Sequence, residues 1–568
     1  MLARGTPKSA DRDAVARPRL SRLPIILTVG CVVVFGLAFF SISWPYVDAY
    51  NNLHEASRWT WRQYVSYAVR GGTEYRPLLT LALKLSYELV GLRLWWYQAL
   101  VLMQFSAVLA LLVWIFRPVG SVRGLAACLA LACVVGLHTS RALFLFVPLN
   151  AHSVALGLVL LAVALAIEPR TRAVDWVFFP LTLVALFVLE SGLLIAPLVL
   201  VLWWARAPGV GLRGATAMAA AVACYVAVRF AVGAVEGTSL YTGTGLWFAG
   251  LDPETLSEIF KHAPWLFWLY NVLSGFLTVA ASEPRAGIFE FLASVLRGDT
   301  ALWRWWHVGS SLLTTAVIVF ALTVYRPAST RDRLLVLAGL TLVVFGSALG
   351  FLYARDRIAL SAGVGYGVLL YVSVATLLER QSTPRRFLVG IVGVVAAAWL
   401  VRGAETYFQL RDTAWAHRLE WTDYDRARRG TGPPETELFV ALRAEALRVV
   451  PADPRGDPGW TYALFERTYA GDRTTPGATV DATLDNTVRA LSPPFDIRWT
   501  PEVDEATRLR LEAELGLTEA QPVQRDKRGR TWTYRLQRPS KEGIQRILLH
   551  ASVEDTARLN STRLEIED

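Results

Sequence analysis

Three charged side chains stand where a reaction at a membrane edge would need them. Asp48 follows a long apolar run by five residues, in Ser43-Trp44-Pro45-Tyr46-Val47-Asp48, with Tyr46 and Tyr50 beside it. A carboxylate held at a helix end is placed to act as a general base, taking the proton of a hydroxyl acceptor while a lipid-linked phosphate leaves. The same position suits a solvated loop acid, or an N-cap for a helix beginning at Ala49. Arg76, in Glu74-Tyr75-Arg76-Pro77-Leu78, immediately precedes an amphipathic stretch and falls at headgroup height. Its guanidinium can take two phosphate oxygens at once; an interfacial arginine also simply snorkels to water. Glu190 lies between two apolar runs. An acid there either caps a short helix at a wet hairpin tip or has a task, because it is costly unless hydrated or used.

Other chemistry-bearing patterns are weak. Asp11-Arg12-Asp13 has an Asp-x-Asp form but lies on the polar N-terminal tail, and no P-loop, dinucleotide fingerprint or His-Glu-x-x-His is present. Cys31, Cys128, Cys133 and Cys224 all fall inside apolar runs. They read as packed thiols rather than a disulfide frame or a zinc site.

The elements that must hold these residues are apolar helices. Of 568 residues, 54% are hydrophobic and 18% charged, and the mean hydropathy is +0.37. That balance excludes a disordered chain, a small disulfide scaffold and an ordinary soluble enzyme, in which roughly 25% of residues are charged. The basic tail 1–22 leads into an apolar run, Leu23–Ser43, too long for a signal peptide and ended by an aromatic anchor, so it reads as an uncleaved transmembrane helix. Further spans are expected at Leu94–Phe116, Gly124–His138, Ala151–Ile167, Trp176–Leu189, Ser191–Trp204, Gly214–Val235, Trp305–Tyr325, Leu334–Tyr353, Ile358–Leu378 and Phe387–Val401. Trp176–Trp204 is read as a hairpin with Glu190 at its outer mouth, because Arg170, Arg172, Arg206 and Arg213 then share the inner side. Trp265–Ala281 is read as a re-entrant or interfacial helix on the outer side, since a full crossing would invert the arginine-rich loops 326–333 and 379–386.

The expected fold is thus a polytopic α-helical membrane protein of about 11, or 13, transmembrane helices. It divides into a cytoplasmic tail 1–22, a membrane domain 23–403 and an extracytoplasmic soluble domain 404–568 of α/β or α+β type. Within that last part Glu505–Leu517 reads as a helix and Arg530–Leu536 as a strand. The outer loop 44–92 carries an amphipathic helix over Pro77–Leu92, with Thr80, Lys84 and Glu88 on one stripe. The net charge of +10 is not a nucleic-acid signal: the region from Ala404 holds 24 basic and 28 acidic residues, so the excess lies in the membrane part, chiefly in its cytoplasmic tail and loops.

"EYRPLLTLALKLSYELVGLRLWWYQALVLMQFSAVLALLVW" resembles the Tyr-Arg-Pro-Leu segment of the transmembrane-and-tetratricopeptide O-mannosyltransferases and their bacterial relatives. These belong to the GT-C superfamily of polyprenyl-phosphate-sugar-dependent glycosyltransferases. "LFVLESGLLIAPLVLVL" is similar to that family's hairpin with a central acid, and "YARDRIALSAGVGYGVLLY" resembles its late acid-arginine motif, with Asp356 and Arg357 in those positions. The resemblance implies a GT-C-like fold over residues 23–400 and transfer of a sugar, with inversion, from a polyprenyl-phosphate donor to a protein, lipid or glycan acceptor outside a bacterial inner membrane. It implies Asp48 as the catalytic base, with Glu190 shaping the site. Tyr75, Arg76, Arg355 and Arg357 would face the donor phosphate, and His152 would line the approach with Arg141 and Asn150. No cofactor is firmly implied: a divalent cation stays open but has no acidic pair to support it, since Asp48 is followed by Ala49. Two other classes remain beside this one, a lipid or solute transporter (flippase) and a non-catalytic GT-C-like scaffold of an envelope complex.

Overall fold

The computed structural model describes residues 21–42, 56, 59–70, 75–91, 93–143, 150–169, 172–231, 253–281, 291–292, 295–296, 298, 302–325, 327, 329–352, 356–379 and 390–405. It also describes six strand segments between 480 and 567. Helices come in the order α1 Leu23–Ile42, α2 Trp61–Arg70, α3 Pro77–Val90, α4 Leu94–Phe116, α5 Gly120–Gly136, α6 Ala151–Ile167, α7 Phe178–Val188 and α8 Ile195–Trp204. They continue with α9 Leu212–Ala231, α10 Pro253–Ile259, α11 Pro264–Ala280, α12 Leu302–Val324, α13 Thr330–Ala348, α14 Leu360–Glu379 and α15, residues 390–405. Among the described residues four apolar stretches are long enough to cross a membrane: Trp95–Phe116, Leu212–Ala231, Trp305–Val324 and Arg357–Glu379. Six shorter apolar helices accompany them.

α14 is the axis of the bundle, and every residue from Leu360 through Leu377 is buried. A helix apolar on all sides has to be enclosed by protein or lipid; here protein encloses it, with α5, α12 and α13 packed around it. Glycine makes the approach possible. A Cβ at Gly365 would come within 2.7 Å of the Gly339 carbonyl oxygen, and one at Gly346 within 2.7 Å of the Ala362 nitrogen. Small residues on facing helices replace side-chain bulk by backbone contact.

Polar contacts gather the helix ends at two opposite ends of the bundle. At one end Ser21 N donates to Pro118 O, and Arg123 grips Asp332 with two bonds of 3.0 and 2.9 Å while its Nε reaches Glu379 at 2.7 Å. Arg331 donates to Glu168 at 2.7 Å and to Ile115 O at 2.8 Å. The start of α1, the α4–α5 turn, the end of α6, the start of α13 and the end of α14 therefore share this end. The other end carries the 3-10 turns His138–Leu143, Glu190–Leu194 and Asp356–Ala359.

The chain reverses at Glu190 as expected. α7 stops at Leu189, which is extended (φ −161°, ψ 144°), and the following turn folds back until a Cβ at Gly192 would lie 2.5 Å from the Ala185 carbonyl carbon. The loop after α8 returns to the level where α7 began, since Gly209 N donates to Ala166 O and Gly211 N to Asp175 Oδ1. α11 starts at the Glu190 end, where Asn271 Nδ2 donates to Phe351 O. It then descends past Ser347 until Ala280 O accepts from Thr315 Oγ1 at 2.7 Å.

Three details differ from the sequence reading. Lys84 does not sit on a solvated stripe: it is 3% exposed, donates to Ala56 O at 2.7 Å, pairs with Glu88 and lies about 6 Å from the rings of Trp61, Tyr64 and Tyr87. The helix α2, unforeseen in the outer loop, packs on α3 and covers it. α15 runs past the composition boundary at Ala404 and carries Arg402 into the interior at 1% exposure.

In the C-terminal region the strands β1 Val480–Asp481, β2 Phe495–Ile497, β3 Gln524–Arg525, β4 Thr531–Ser540, β5 Gly543–Glu554 and β6 Arg558–Glu567 pair antiparallel in the order β1-β2-β6-β5-β4-β3. The expected strand Arg530–Leu536 falls on β4; the expected helix Glu505–Leu517 lies outside the described residues.

Candidate functional site

Tyr75 and Arg76 enter the site from the start of α3. Pro77 takes the first helical position, where its missing N–H costs nothing, and Arg76 O accepts from both Thr80 N and Thr80 Oγ1 at 3.0 Å. Tyr75 is 4% exposed and packs edge-on to Phe187 of α7, with the Tyr225 ring of α9 6.5 Å away. Burial pushes its phenol above the ordinary value, so it stays protonated. This aromatic trio fixes where the next residue points.

Arg76 Nε donates to Glu190 Oε2 at 3.1 Å. The other carboxylate oxygen lies 3.9 Å from Arg229 Nη1, and that same nitrogen donates to Tyr225 OH at 2.8 Å. Three elements thus converge on one carboxylate: the start of α3, the break after α7 and the last turn of α9. Among the described residues, two guanidinium groups face this one acid. The three side chains remain 27%, 35% and 21% exposed, so the cluster is open to solvent or ligand.

Of the residues singled out in the sequence, Tyr75, Arg76 and Glu190 come together. Asp48 and Arg355 lie outside the described residues. Arg357 is half-buried in the turn Asp356–Ala359, which packs on the turn His138–Leu143 at the same end of the bundle. His152 is half-buried in the first turn of α6. Its neighbour Asn150 is structural: Oδ1 caps α6 by accepting from Ser153 N, and Nδ2 donates to Ala142 O.

Arg229 lies inside the expected span Gly214–Val235 and is not among the residues singled out from the sequence. The usable signal was Tyr225 four residues earlier, on the same helix face. A second cluster was missed altogether. His307 Nε2 lies 2.5 Å from Glu405 Oε2, and Arg402 donates to His307 O, Ser310 Oγ and Ser311 Oγ while lying 4.3 Å over the Trp399 ring. Arg141 Nη1 stands 3.4 Å from His138 Nε2. Among the described residues no group of three His, Cys, Asp or Glu is placed to hold a metal ion.

No family model, no curated protein and no solved structure matches this chain. Its helical architecture and the Arg76–Glu190–Arg229 cluster therefore carry the functional argument.

Proposed function

We propose that this chain is an integral-membrane glycosyltransferase of GT-C type, moving a sugar from a polyprenyl-phosphate donor to an acceptor hydroxyl at the outer face of a bacterial inner membrane. The observation that carries the reading is one carboxylate, Glu190, bracketed by Arg76 and Arg229 at an open end of the bundle. A phosphate leaving group needs positive charge that is fixed before the reaction begins, and arginines held by a carboxylate supply it without reorganisation. In this reading Arg76, Arg229 and the Arg355–Arg357 motif face the donor phosphate, and Asp48 takes the proton of the acceptor. The acceptor oxygen bonds to the anomeric carbon as the bond from that carbon to the phosphate oxygen breaks, which inverts the centre.

The orientation follows from charge. The end that joins Arg117, Arg123 and Arg331 is the cytoplasmic one under the positive-inside rule, which puts the Glu190 end outside. In this reading the chain makes eleven passes with α11 re-entrant and a cytoplasmic N-terminus, and an extracytoplasmic soluble domain of α/β or α+β type receives the protein, lipid or glycan acceptor; the alternation of helix ends between the two ends of the bundle supports the pass count.

The test is transfer from radiolabelled polyprenyl-phosphate hexoses and pentoses in membranes carrying the full chain. Wild-type protein transfers label from one of these donors, and Asp48→Asn lowers the rate about a hundredfold or more, the usual share of a general base. Absence of transfer from every donor overturns the class. Undiminished transfer by correctly inserted Asp48→Asn overturns the base.

A further inference from the structure

At the end of the bundle opposite Glu190, a cavity of about 630 Å³ lies between α1 and the ends of α4 and α6. Its volume is in the range of small-molecule sites, about 300–1,000 Å³. Its wall is apolar, made by Ile25, Ala110, Val113 and Trp114, and its rim is ionic, made by Arg117 and Glu168. Ile25 and Trp114 are 49% and 41% exposed, so the wall opens sideways, toward the hydrocarbon if the bundle sits in a bilayer. An apolar slot with an ionic rim at one level has the polarity profile of a single lipid, chain below and headgroup above.

The rim selects the sign of the headgroup. Glu168 accepts from two arginines unequally: Arg331 Nη1 is 2.7 Å from Oε1, whereas Arg117 Nη1 is 3.5 and 3.2 Å from the two oxygens. Arg331 holds the carboxylate by itself, so Arg117 can turn to another anion without leaving Glu168 uncompensated. The Arg117 side chain is also the most exposed member of the trio, at 57% against 23% for Arg331 and 16% for Glu168. Two cations for one acid leave an excess of one positive charge at the rim, and Arg22 follows Ser21, which also lines the cavity. Trp114 lies in the last turn of α4, at the depth where an indole ring takes the boundary between headgroup and chain.

We propose that this cavity is a binding site for one anionic glycerophospholipid of the leaflet at that end. The phosphate sits on Arg117 at the rim, and the upper part of an acyl chain lies against Ile25, Ala110, Val113 and Trp114. The proposal rests on the bilayer reading of the bundle and not on glycosyl transfer. A chain with no transferase activity would still hold the lipid.

Native mass spectrometry of the full chain released from detergent tests it, with dioleoylphosphatidylglycerol and dioleoylphosphatidylcholine offered in equal amounts. Wild-type protein retains one phosphatidylglycerol in preference to phosphatidylcholine. Arg117→Gln lowers that preference about tenfold, the scale of one charge-assisted hydrogen bond. Ala110→Trp, a change at an exposed position that fills the slot, lowers retention of both lipids. Soluble glycerol phosphate at matched concentration does not displace the lipid, because the chain contributes part of the binding. Equal retention of the two lipids overturns the proposal, as does unchanged retention in Ala110→Trp. Loss of retention on deleting residues 1–20 also overturns it, by assigning the lipid to the basic tail.

Discussion

Removing the Glu190 carboxylate separates its role as a holder of arginines from any direct chemistry. In Glu190→Ala the Arg76 Nε bond of 3.1 Å and the Arg229 contact of 3.9 Å are both lost. The first is a charge-assisted hydrogen bond, worth about 1.5–3 kcal/mol when shielded. With about a third of the Glu190 side chain exposed, the lower part of that range applies, about 1.5 kcal/mol. The second is beyond hydrogen-bond distance and contributes about 0.5 kcal/mol. If positioning of the two guanidinium groups is felt only as the phosphate charge develops, the combined loss of about 2 kcal/mol appears as a fall in kcat/KM of about thirtyfold. Glu190→Gln keeps an acceptor for Arg76 Nε and loses only the charge, so its deficit is smaller, about threefold to tenfold. The assay is initial-rate transfer from the radiolabelled donor at several donor concentrations, with Arg229→Ala and the double variant run beside it. Because Arg229 and Glu190 face each other at 3.9 Å, the two substitutions are less than additive by about 0.5 kcal/mol. Strict additivity, or activity of Glu190→Ala within twofold of wild type, refutes the positioning role.

Two further outcomes concern the bundle. Arg402→Ala strips three acceptors and an indole of their buried partner and lowers stability by about 3 kcal/mol, read as a lower melting midpoint in detergent; Arg402→Lys restores little, because an ammonium cannot stack flat on Trp399 while reaching both serines. Gly365→Ala pushes a Cβ to 2.6 Å from Leu342 Cβ and costs about 1–3 kcal/mol, whereas Gly157→Ala, with no atom within 4 Å of its Cβ, is neutral or stabilising by the same measurement.

Hydropathy alone located the apolar helices well, because a helix in or near lipid must be apolar along its whole length. Leu94–Phe116 and Ala151–Ile167 coincide with α4 and α6, and the second is sharpened by its Asn150 cap. Hydropathy does not say which apolar surface meets lipid and which meets protein. Nothing in Leu360–Leu377 marks it as the enclosed axis except its glycines, and their value depends on Gly339 and Gly346 of another helix. The polar stripe of α3 was legible as a pattern but not as a burial, since Lys84 is covered by α2, a ten-residue helix too short and too mixed in polarity to stand out by hydropathy. The Arg76–Glu190 contact spans 114 residues, and only the chain's reversal at Leu189 brings it about.

The preference for arginine acquires a physical reading from these contacts. Of 57 basic residues 52 are arginine, and at the helix ends their planar forks engage several acceptors at once: two carboxylates for Arg123, a carboxylate and a carbonyl for Arg331, three oxygens for Arg402. A lysine in those places would give up geometry even while keeping charge. Fastening and function then separate by the local balance of charge. Arg123 faces two acids, Asp332 and Glu379, and has no positive charge to offer a ligand. The trios Arg76–Glu190–Arg229 and Arg117–Glu168–Arg331 instead set two cations around one acid, each with side chains partly open. Among the described residues, such an arrangement holds two arginines against a single carboxylate. The two trios lie at opposite ends of the same bundle, so in the bilayer reading proposed above each would face one leaflet. That geometry is the ground on which the first trio is proposed for a donor phosphate and the second for a resident phospholipid.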